Sequence, residues 1–379
     1  MNSHILAIES SCDETAAAVI LNGKTILSSS IASSTLVHKK YGGIVPELAA
    51  REQIRSIIPV LTEALAPLRT KNTNETYMQT IKRYIDAIAV TIGPGLIGSL
   101  LIGIETAKTI SFATGIPIIP VNHVIAHMFA NFIIQPSAVS RQPSANILEA
   151  ESKRLIAFPA ISLVVSGGHT ELYVMKSIKN IQWLGGTLDD AAGEAFDKTA
   201  RLLGFENRGG AAIQEAASQF STTQNLKSKI KDQNSKITLP RPYLPDKPYS
   251  FSFSGLKTAA VRVVDSLKKQ KQYKDETIQQ CAYEIQESIT DVLVRKTIHA
   301  AKIHNAHSIL LSGGVASNTR LREKFEGAIQ NSGISFRLFA PPFSLCTDNA
   351  VTIGIYASIF STPISWNEIT AVSNLSVEI

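Results

Sequence analysis

His123 and His127 stand four residues apart in Pro120-Val-Asn-His-Val-Ile-Ala-His. Positions i and i+4 share one face of an α-helix, so both imidazoles can reach a single point. Two neutral imidazoles converging in that way are a ready site for a transition metal. An isolated H-x3-H is equally well two polar residues on a helix surface, and here the setting favours the site. Pro117 and Pro120 close a strand-like Ile116-Pro-Ile-Ile run, and Asn122 is a good N-cap, so the histidines open a helix directly after a strand. That junction is where an open α/β sheet usually carries its chemistry.

Ser166-Gly-Gly-His and Ser312-Gly-Gly-Val are a second signal. Without a Cβ in the way, backbone N–H groups can close on a phosphate. A Gly-Gly pair also serves as a plain tight turn; two pairs, each after an apolar strand and each led by Ser, point to a nucleotide. No G-K-[ST] follows either pair and neither reads G-x-G-x-x-G, which excludes Walker and dinucleotide loops. Asp190, Glu194 and Asp197 share a helix face beside Lys198. They suit the helix dipole, and also ribose hydroxyls or a bound metal. Gly95, Gly98, Ser99 and Gly103 open a predicted helix and read as close packing rather than ligand contact. Glu47 and Arg51, four apart, read as an ion pair. Asp348, in Cys346-Thr-Asp-Asn, reads on its own as a turn residue.

These residues need elements to position them. Apolar strand patterns recur at 5–8, 16–21, 87–92, 116–121, 161–165, 172–175 and 309–311, with helical patterns at 45–65, 99–114, 191–203, 277–304 and 318–329. Strands alternating with helices predict an α/β fold. The polar stretches 71–76, 135–154 and 224–248 read as loops or insertions. A strand running into a small-residue loop occurs three times, at Ile8-Glu-Ser-Ser-Cys, Val165-Ser-Gly-Gly-His and Leu311-Ser-Gly-Gly-Val. Duplicated units of that kind would build two similar domains serving one nucleotide.

The chain has 379 residues, too many for one ordinary core, with 44% hydrophobic and 18% charged residues. A net charge of +6 suits a polyanionic partner without requiring one. Cys12, Cys281 and Cys346 are widely spaced and include no C-x-x-C, which points away from a disulfide framework and towards a reducing compartment. A strand pattern begins by residue 5, leaving no room for a signal peptide or presequence, and the apolar run 92–104 is short and broken by glycines. The expected location is the cytoplasm.

Nine blocks, in order, resemble one family. They are Glu9-Ser-Ser-Cys-Asp-Glu-Thr, Tyr41-Gly-Gly-Ile-Val-Pro-Glu-Leu-Ala, Gly93-Pro-Gly-Leu, Asn122-His-x-x-x-His, Val165-Ser-Gly-Gly-His-Thr, the 189–200 segment, Phe251-Ser-Phe-Ser-Gly-Leu-Lys-Thr, Ser312-Gly-Gly-Val-Ala-Ser-Asn and Cys346-Thr-Asp-Asn-Ala. The family is the universal tRNA threonylcarbamoyladenosine transferases, once mislabelled O-sialoglycoprotein endopeptidases, and the chain looks like the bacterial form. The resemblance implies an α/β fold of the actin/Hsp70/sugar-kinase type, two similar lobes around a cleft. Residues 1–130 with 345–379 would form the metal-bearing lobe, and 131–344 the lobe with the adenylate loops. The resemblance also implies iron (Fe2+, with Zn2+ as the substitute) held by His123, His127 and Asp348. Threonylcarbamoyl-AMP would be contacted by Val165, Ser166, Gly167, Gly168, His169, Asp197, Gly210 and Asn318. The implied partners are tRNA, a shorter non-catalytic paralogue and a small ATPase. Two positions depart from the family pattern: Asn207-Arg-Gly-Gly-Ala replaces Tyr-Pro-Gly-Gly-Pro around Gly210, and Gln53 stands where a His is usual.

The expected reaction moves a threonylcarbamoyl group from the adenylate to N6 of adenosine 37, in tRNAs reading codons that begin with adenine. Lys39, Lys40, Arg51 and Arg55 bracket the Tyr41 loop and are expected to meet tRNA phosphates, whereas Lys268, Lys269 and Lys271 read as a solvated face. The alternative is a kinase-like ATP-dependent phosphotransferase of the same fold, which the glycine loops alone would support but which has no use for His123 and His127. A metallopeptidase would need H-E-x-x-H, and Val124 and Ile125 stand between the histidines. A non-catalytic scaffold would have no need of the His/His/Asp set.

Overall fold

The computed structural model of the chain describes residues 3–41, 43–69, 75–133, 156–205, 209–227, 237–333, 336–360 and 362–376. It divides into two compact units, Met1–Ala157 with Thr347–Ile379, and Phe158–Cys346. The segment 135–154 and the Asn207-Arg208 substitution lie outside the described residues.

The first unit is a five-stranded sheet in the order β3 (Thr25–Ser33), β2 (Glu14–Leu21), β1 (His4–Glu9), β4 (Ala87–Gly93), β5 (Ile118–Asn122). Strand β1 runs antiparallel to β2 and parallel to β4, and β4 runs parallel to β5. Its helices are α1 (Thr35–His38), α2 (Pro46–Leu65), α3 (Tyr77–Tyr84), α4 (Ile97–Thr114), α5 (His123–Met128) and, from the returning C-terminal segment, the helix Ala350–Ile359. Alternation sets the two faces of the sheet. Leu6, Ile8, Val19, Ile88 and Val90 pack with Ile57, Leu61, Leu100 and Ile104 of α2 and α4. The opposite face receives the helix Ala350–Ile359 so closely that a Cβ on Gly354 would stand 2.5 Å from Ile20 Cγ1 and 3.2 Å from Ala7 Cβ. The last described residues then run beside β4 and β5: Val372 N donates to Ile92 O at 2.8 Å, and Asn122 Nδ2 to Ser376 O at 3.2 Å.

The second unit repeats the plan, β8 (Asn180–Gly186), β7 (Thr170–Ser177), β6 (Ala160–Val165), β9 (Ser308–Ser312), β10 (Arg337–Phe339). Again β6 is antiparallel to its hairpin neighbour and parallel to β9, which is parallel to β10. Its helices are α6 (Ala192–Leu202), α7 (Gly209–Lys227), α8 (Ser254–Lys269), α9 (Asp275–Ile303) and α10 (Thr319–Asn331); the helix Ala350–Ile359 is therefore α11. Ile161, Leu163, Leu172, Val174, Ile309 and Leu311 join Phe196, Leu256, Ile289 and Phe325 in one core. The polar stretch expected as a loop from 224 begins inside α7. The three cysteines are free, as expected. Among the described residues no helix is long and apolar enough to cross a membrane.

The small residues opening α4 do pack. A Cβ on Gly95 would stand 2.5 Å from Ser11 O, and one on Gly103 2.5 Å from Ser10 Oγ. Ser10 Oγ donates to Ser99 O at 2.9 Å and accepts from Gly103 N at 3.2 Å, fastening α4 to the loop after β1. We therefore expect Gly103→Val to cost about 1–3 kcal/mol through overpacking, read from the urea midpoint. An unchanged midpoint would mean that this loop gives way without cost.

Candidate metal centre and nucleotide loops

Three parallel strands of the first unit end in functional side chains. Glu9 is the last residue of β1, Thr91 lies near the end of β4, and His123 comes directly after β5. Asn122 caps α5 by accepting from Val124 N at 3.0 Å and Ile125 N at 3.2 Å, which fixes where the His123–His127 face begins. Both histidines are buried, and their rings meet edge to face with centroids 4.7 Å apart. Asp348 comes from the residue before Asn349, whose side chain caps α11 by accepting from Thr352 N at 3.1 Å.

The structure brings His123, His127 and Asp348 together. Asp348 Oδ1 lies 3.6 Å from His123 Nε2 and 3.3 Å from His127 Nε2, and the three ligand atoms all fall within 4.8 Å of one another. Donors at ~2.0–2.2 Å from a shared ion stand roughly 2.8–3.6 Å apart for angles between about 90° and 109°, so both separations to Asp348 suit one ion. His127 supplies the test of fit. Among the described residues neither of its ring nitrogens has a hydrogen-bond partner, Nε2 included, despite the 3.3 Å approach to Asp348. A buried imidazole left so is costly unless something else takes its lone pair. The donor set fits a transition metal.

The field around the triad also favours a cation. Burial pushes the Glu14 carboxyl up, to about 9, with the hydrogen bond to Asp13 and the charges of Asp13 and Asp348 adding to it. The Cys12 thiol is pushed up by burial and by the same carboxylates. Burial would lower His123, but the charges of Glu9 and Asp348 outweigh it and raise it to about 9. Burial would raise Glu9, but His123 and the Thr91 hydroxyl hold it below its usual range.

Glu9 carries no signal of its own in the sequence, where it stands only as one member of a motif. It is buried, and three groups converge on it: Ser11 N donates to Oε1 at 2.6 Å, Thr91 Oγ1 donates to Oε2 at 2.6 Å, and His123 Nδ1 lies 3.1 Å from Oε2. Gln53 does more than mark a missing histidine. Buried on α2, its Nε2 lies 3.3, 3.0 and 3.1 Å from the carbonyls of Ser10, Cys12 and Glu14, and so holds the loop after β1.

The residues expected to meet the adenylate all lie in the second unit. Val165 ends β6; Ser166 N donates to His169 O at 2.8 Å, and His169 N to Ser166 Oγ at 3.1 Å, closing the turn on itself. A Cβ on Gly167 or Gly168 would meet nothing within 4 Å, so that backbone faces open space. Gly313 has φ +85°, and a Cβ there would stand 2.5 Å from Val165 O, which sets the second glycine loop against the first. Gly193 N donates to Ser166 O at 3.1 Å, joining α6 to the same turn. Asp197 on α6 accepts from the Gly210 N–H, and a Cβ on Gly209 would collide with its carboxylate. Asn318 caps α10 through Leu321 N at 2.9 Å and donates to Gln286 Oε1 at 3.1 Å; Thr319 N donates to Gln214 Oε1 of α7 at 2.9 Å.

Lys198 Nζ pairs with Asp190 and Glu194, at 2.6 and 2.8 Å, so two of the three acids read as one face are ion-paired. Arg51 is tied to Glu47 at 2.7 Å, the ion pair foreseen, and Arg55 to Glu52 at 2.5 Å, with both arginine side chains largely exposed. Lys40 lies over the Tyr41 ring, 5.0 Å from its centroid.

Comparison with known proteins places the chain among relatives of one name. A family model for tRNA N6-adenosine threonylcarbamoyltransferase matches residues 25–158 and 144–355. Proteins of that name from Bacillus licheniformis and Persephonella marina are each 42% identical; the chain aligns over 94% and 92% of its length and covers 91% and 88% of theirs. Among solved structures, full-length HypF in a phosphate- and nucleotide-bound form superposes with a TM-score of 0.52 at 13% identity, over 96% of this chain and 47% of that one, and so shares the fold.

Two substitutions test this geometry. Purified His127→Ala should lose stoichiometric bound metal, by elemental analysis, while keeping its circular dichroism; full metal content would remove the triad from consideration. Gly167→Val should cut adenylate affinity at least tenfold while shifting the melting temperature little, because its side chain enters open space. Retained affinity with a collapsed melting temperature would make the loop a structural turn.

Proposed function

The chain belongs to the tRNA N6-adenosine threonylcarbamoyltransferase family, and from that premise we propose that it transfers the threonylcarbamoyl group of threonylcarbamoyl-AMP to N6 of adenosine 37 in tRNAs reading codons that begin with adenine. It is a transferase of tRNA modification. In the proposed step the N6 amine attacks the carbamoyl carbon. A C–N bond forms, the C–O bond to the phosphate breaks, AMP departs with the electron pair, and the amine loses a proton.

The observation that carries this reading is the convergence of buried His123, His127 and Asp348. A phosphotransferase using the glycine loops alone has no role for that triad. We assign the three as ligands of an iron ion, with zinc as the substitute. The ion would supply a concentrated positive charge able to polarise a carbonyl. The chain's own residues do the rest. Gly167, Gly168 and Gly314 present backbone with open space above it, suited to a phosphate. Asp197 is held by the Gly210 N–H and is assigned, with Gly210, to the nucleoside, and Asn318 to its other edge. The family resemblance implies a shorter non-catalytic paralogue and a small ATPase as partners, beside tRNA itself.

Depleting the protein from cells should remove N6-threonylcarbamoyladenosine from hydrolysed tRNA, read by mass spectrometry, and re-expression of the wild type but not His127→Ala should restore it. Unchanged nucleoside content after depletion would overturn the reading. ATP-dependent phosphorylation of a small molecule without metal would favour the kinase.

A further inference from the structure

We propose that Glu9 is a positioning residue for the metal centre, whose carboxylate accepts a hydrogen bond from the Nδ1–H of His123 and so commits Nε2 to the ion. This rests on the metal reading above. A neutral imidazole carries one N–H, and an ionised carboxylate can only accept. With Glu9 Oε2 3.1 Å from Nδ1, the proton retained when an ion displaces the one on Nε2 is that on Nδ1, and the Nε2 lone pair is left for the side of the ring where Asp348 Oδ1 lies 3.6 Å away.

The arrangement behind the ring is built for that task. Glu9 is 1% exposed and is not itself placed as a ligand. The Ser11 amide takes Oε1, and the Thr91 hydroxyl shares Oε2 with the imidazole. These holders come from the loop after β1 and from β4, so the carboxylate is fixed from two directions before it meets a ring carried by α5. Ser11 Oγ lies 3.2 Å from the same Nδ1 and closes the remaining approach. His127 has no counterpart: among the described residues its Nδ1 has no hydrogen-bond partner. The two histidines are therefore not equivalent, and His123 is the one whose orientation is set in advance.

Glu9→Gln tests this, because an amide cannot reproduce the pattern. If its NH2 replaces Oε2, it faces Nδ1 as a donor, which forces the proton to Nε2 and removes the ligand. If it replaces Oε1, it faces the Ser11 N–H, donor against donor. Anaerobic calorimetric titration of the full chain with Fe2+ alone should show affinity falling ~10–100-fold in Glu9→Gln, with His127→Ala as the reference for a lost ligand. Wild-type affinity in Glu9→Gln beside lost binding in His127→Ala would overturn the role of Glu9 and leave the metal reading standing. A lower melting temperature with unchanged affinity would overturn it too, as a purely structural carboxylate. A wild-type chain that takes up neither Fe2+ nor Zn2+ would sink both. Should Glu9→Gln not fold, the Zn2+-loaded wild type decides the matter: a ring-nitrogen NMR spectrum should place the His123 proton on Nδ1, shielded from exchange, and a proton on Nε2 would overturn the assignment.

Discussion

A carboxylate cannot be buried at the end of a strand unless other groups answer its charge, since removing an ion from water costs several kcal/mol even after relaxation. Glu9 closes β1 in that position, and much of the first unit is arranged around the answer. Ser11 turns its amide back, Thr91 reaches across from the neighbouring parallel strand, and His123 comes from the helix at the end of the strand beyond. Parallel pairing of β1 with β4 and of β4 with β5 is what brings the three strand ends to one edge. Gly95 and Gly103 let α4 close against the same loop, and Gln53 ties its carbonyls to α2. The candidate triad of His123, His127 and Asp348 is assembled on top of this constraint, with Asp348 delivered by the residue before the cap of α11.

The same sheet plan serves a different chemistry in the second unit. The central strand exits through Glu9-Ser-Ser-Cys in the first unit and through Val165-Ser-Gly-Gly-His in the second; the next parallel strand exits through Gly93-Pro-Gly and Ser312-Gly-Gly. Acidic residues and histidines gather at the first set of ends. Bare backbone gathers at the second, where the open faces of Gly167 and Gly168 leave N–H groups approachable. Side-chain donors suit a cation and amide donors suit an anion, so one duplicated scaffold can hold opposite charges through a change confined to the loops at its strand ends.

The legible parts of the sequence were those whose signal is local. A four-residue spacing is a property of one helix, so His123 and His127 could be read directly; a Ser-Gly-Gly after an apolar strand is equally local. Glu9 was not legible, because Thr91 and His123 are 82 and 114 residues away and its role exists only once they meet it. Strand β3 escaped for a different reason. Its Ser28 and Ser30 bond to Ala64 O and to Glu63 of α2, so polar contacts stand where alternation would look for apolar ones. In β8, Gly185 and Gly186 are strand residues pressed by Tyr249 and Glu171, so the strand ends in residues that carry no apolar alternation. Helix α11 has no period to detect because it is buried along nearly its whole length. Helix-face charge pairing is local in the same way: Arg51, Arg55 and Lys198 each have an acid one helical turn away.

The distribution of charge bears on stability as well as on chemistry. Glu9 and Asp348 crowd one region where His123 is hydrogen-bonded to a carboxylate and His127, among the described residues, is left without a partner. A divalent ion there would satisfy the orphaned imidazole and offset the carboxylates at once. Binding that favours the folded chain over the unfolded one stabilises it by mass action, about 2.7 kcal/mol when the free ion is at a hundred times its dissociation constant. Much of that stabilisation would fall on the ends of β1, β4 and β5 and on the start of α5, the backbone that the ligands pin. The metal would then be a structural element of the first unit, and a chain deprived of it would lose order at those strand ends before its core of Leu6, Ile88 and Leu100 gave way.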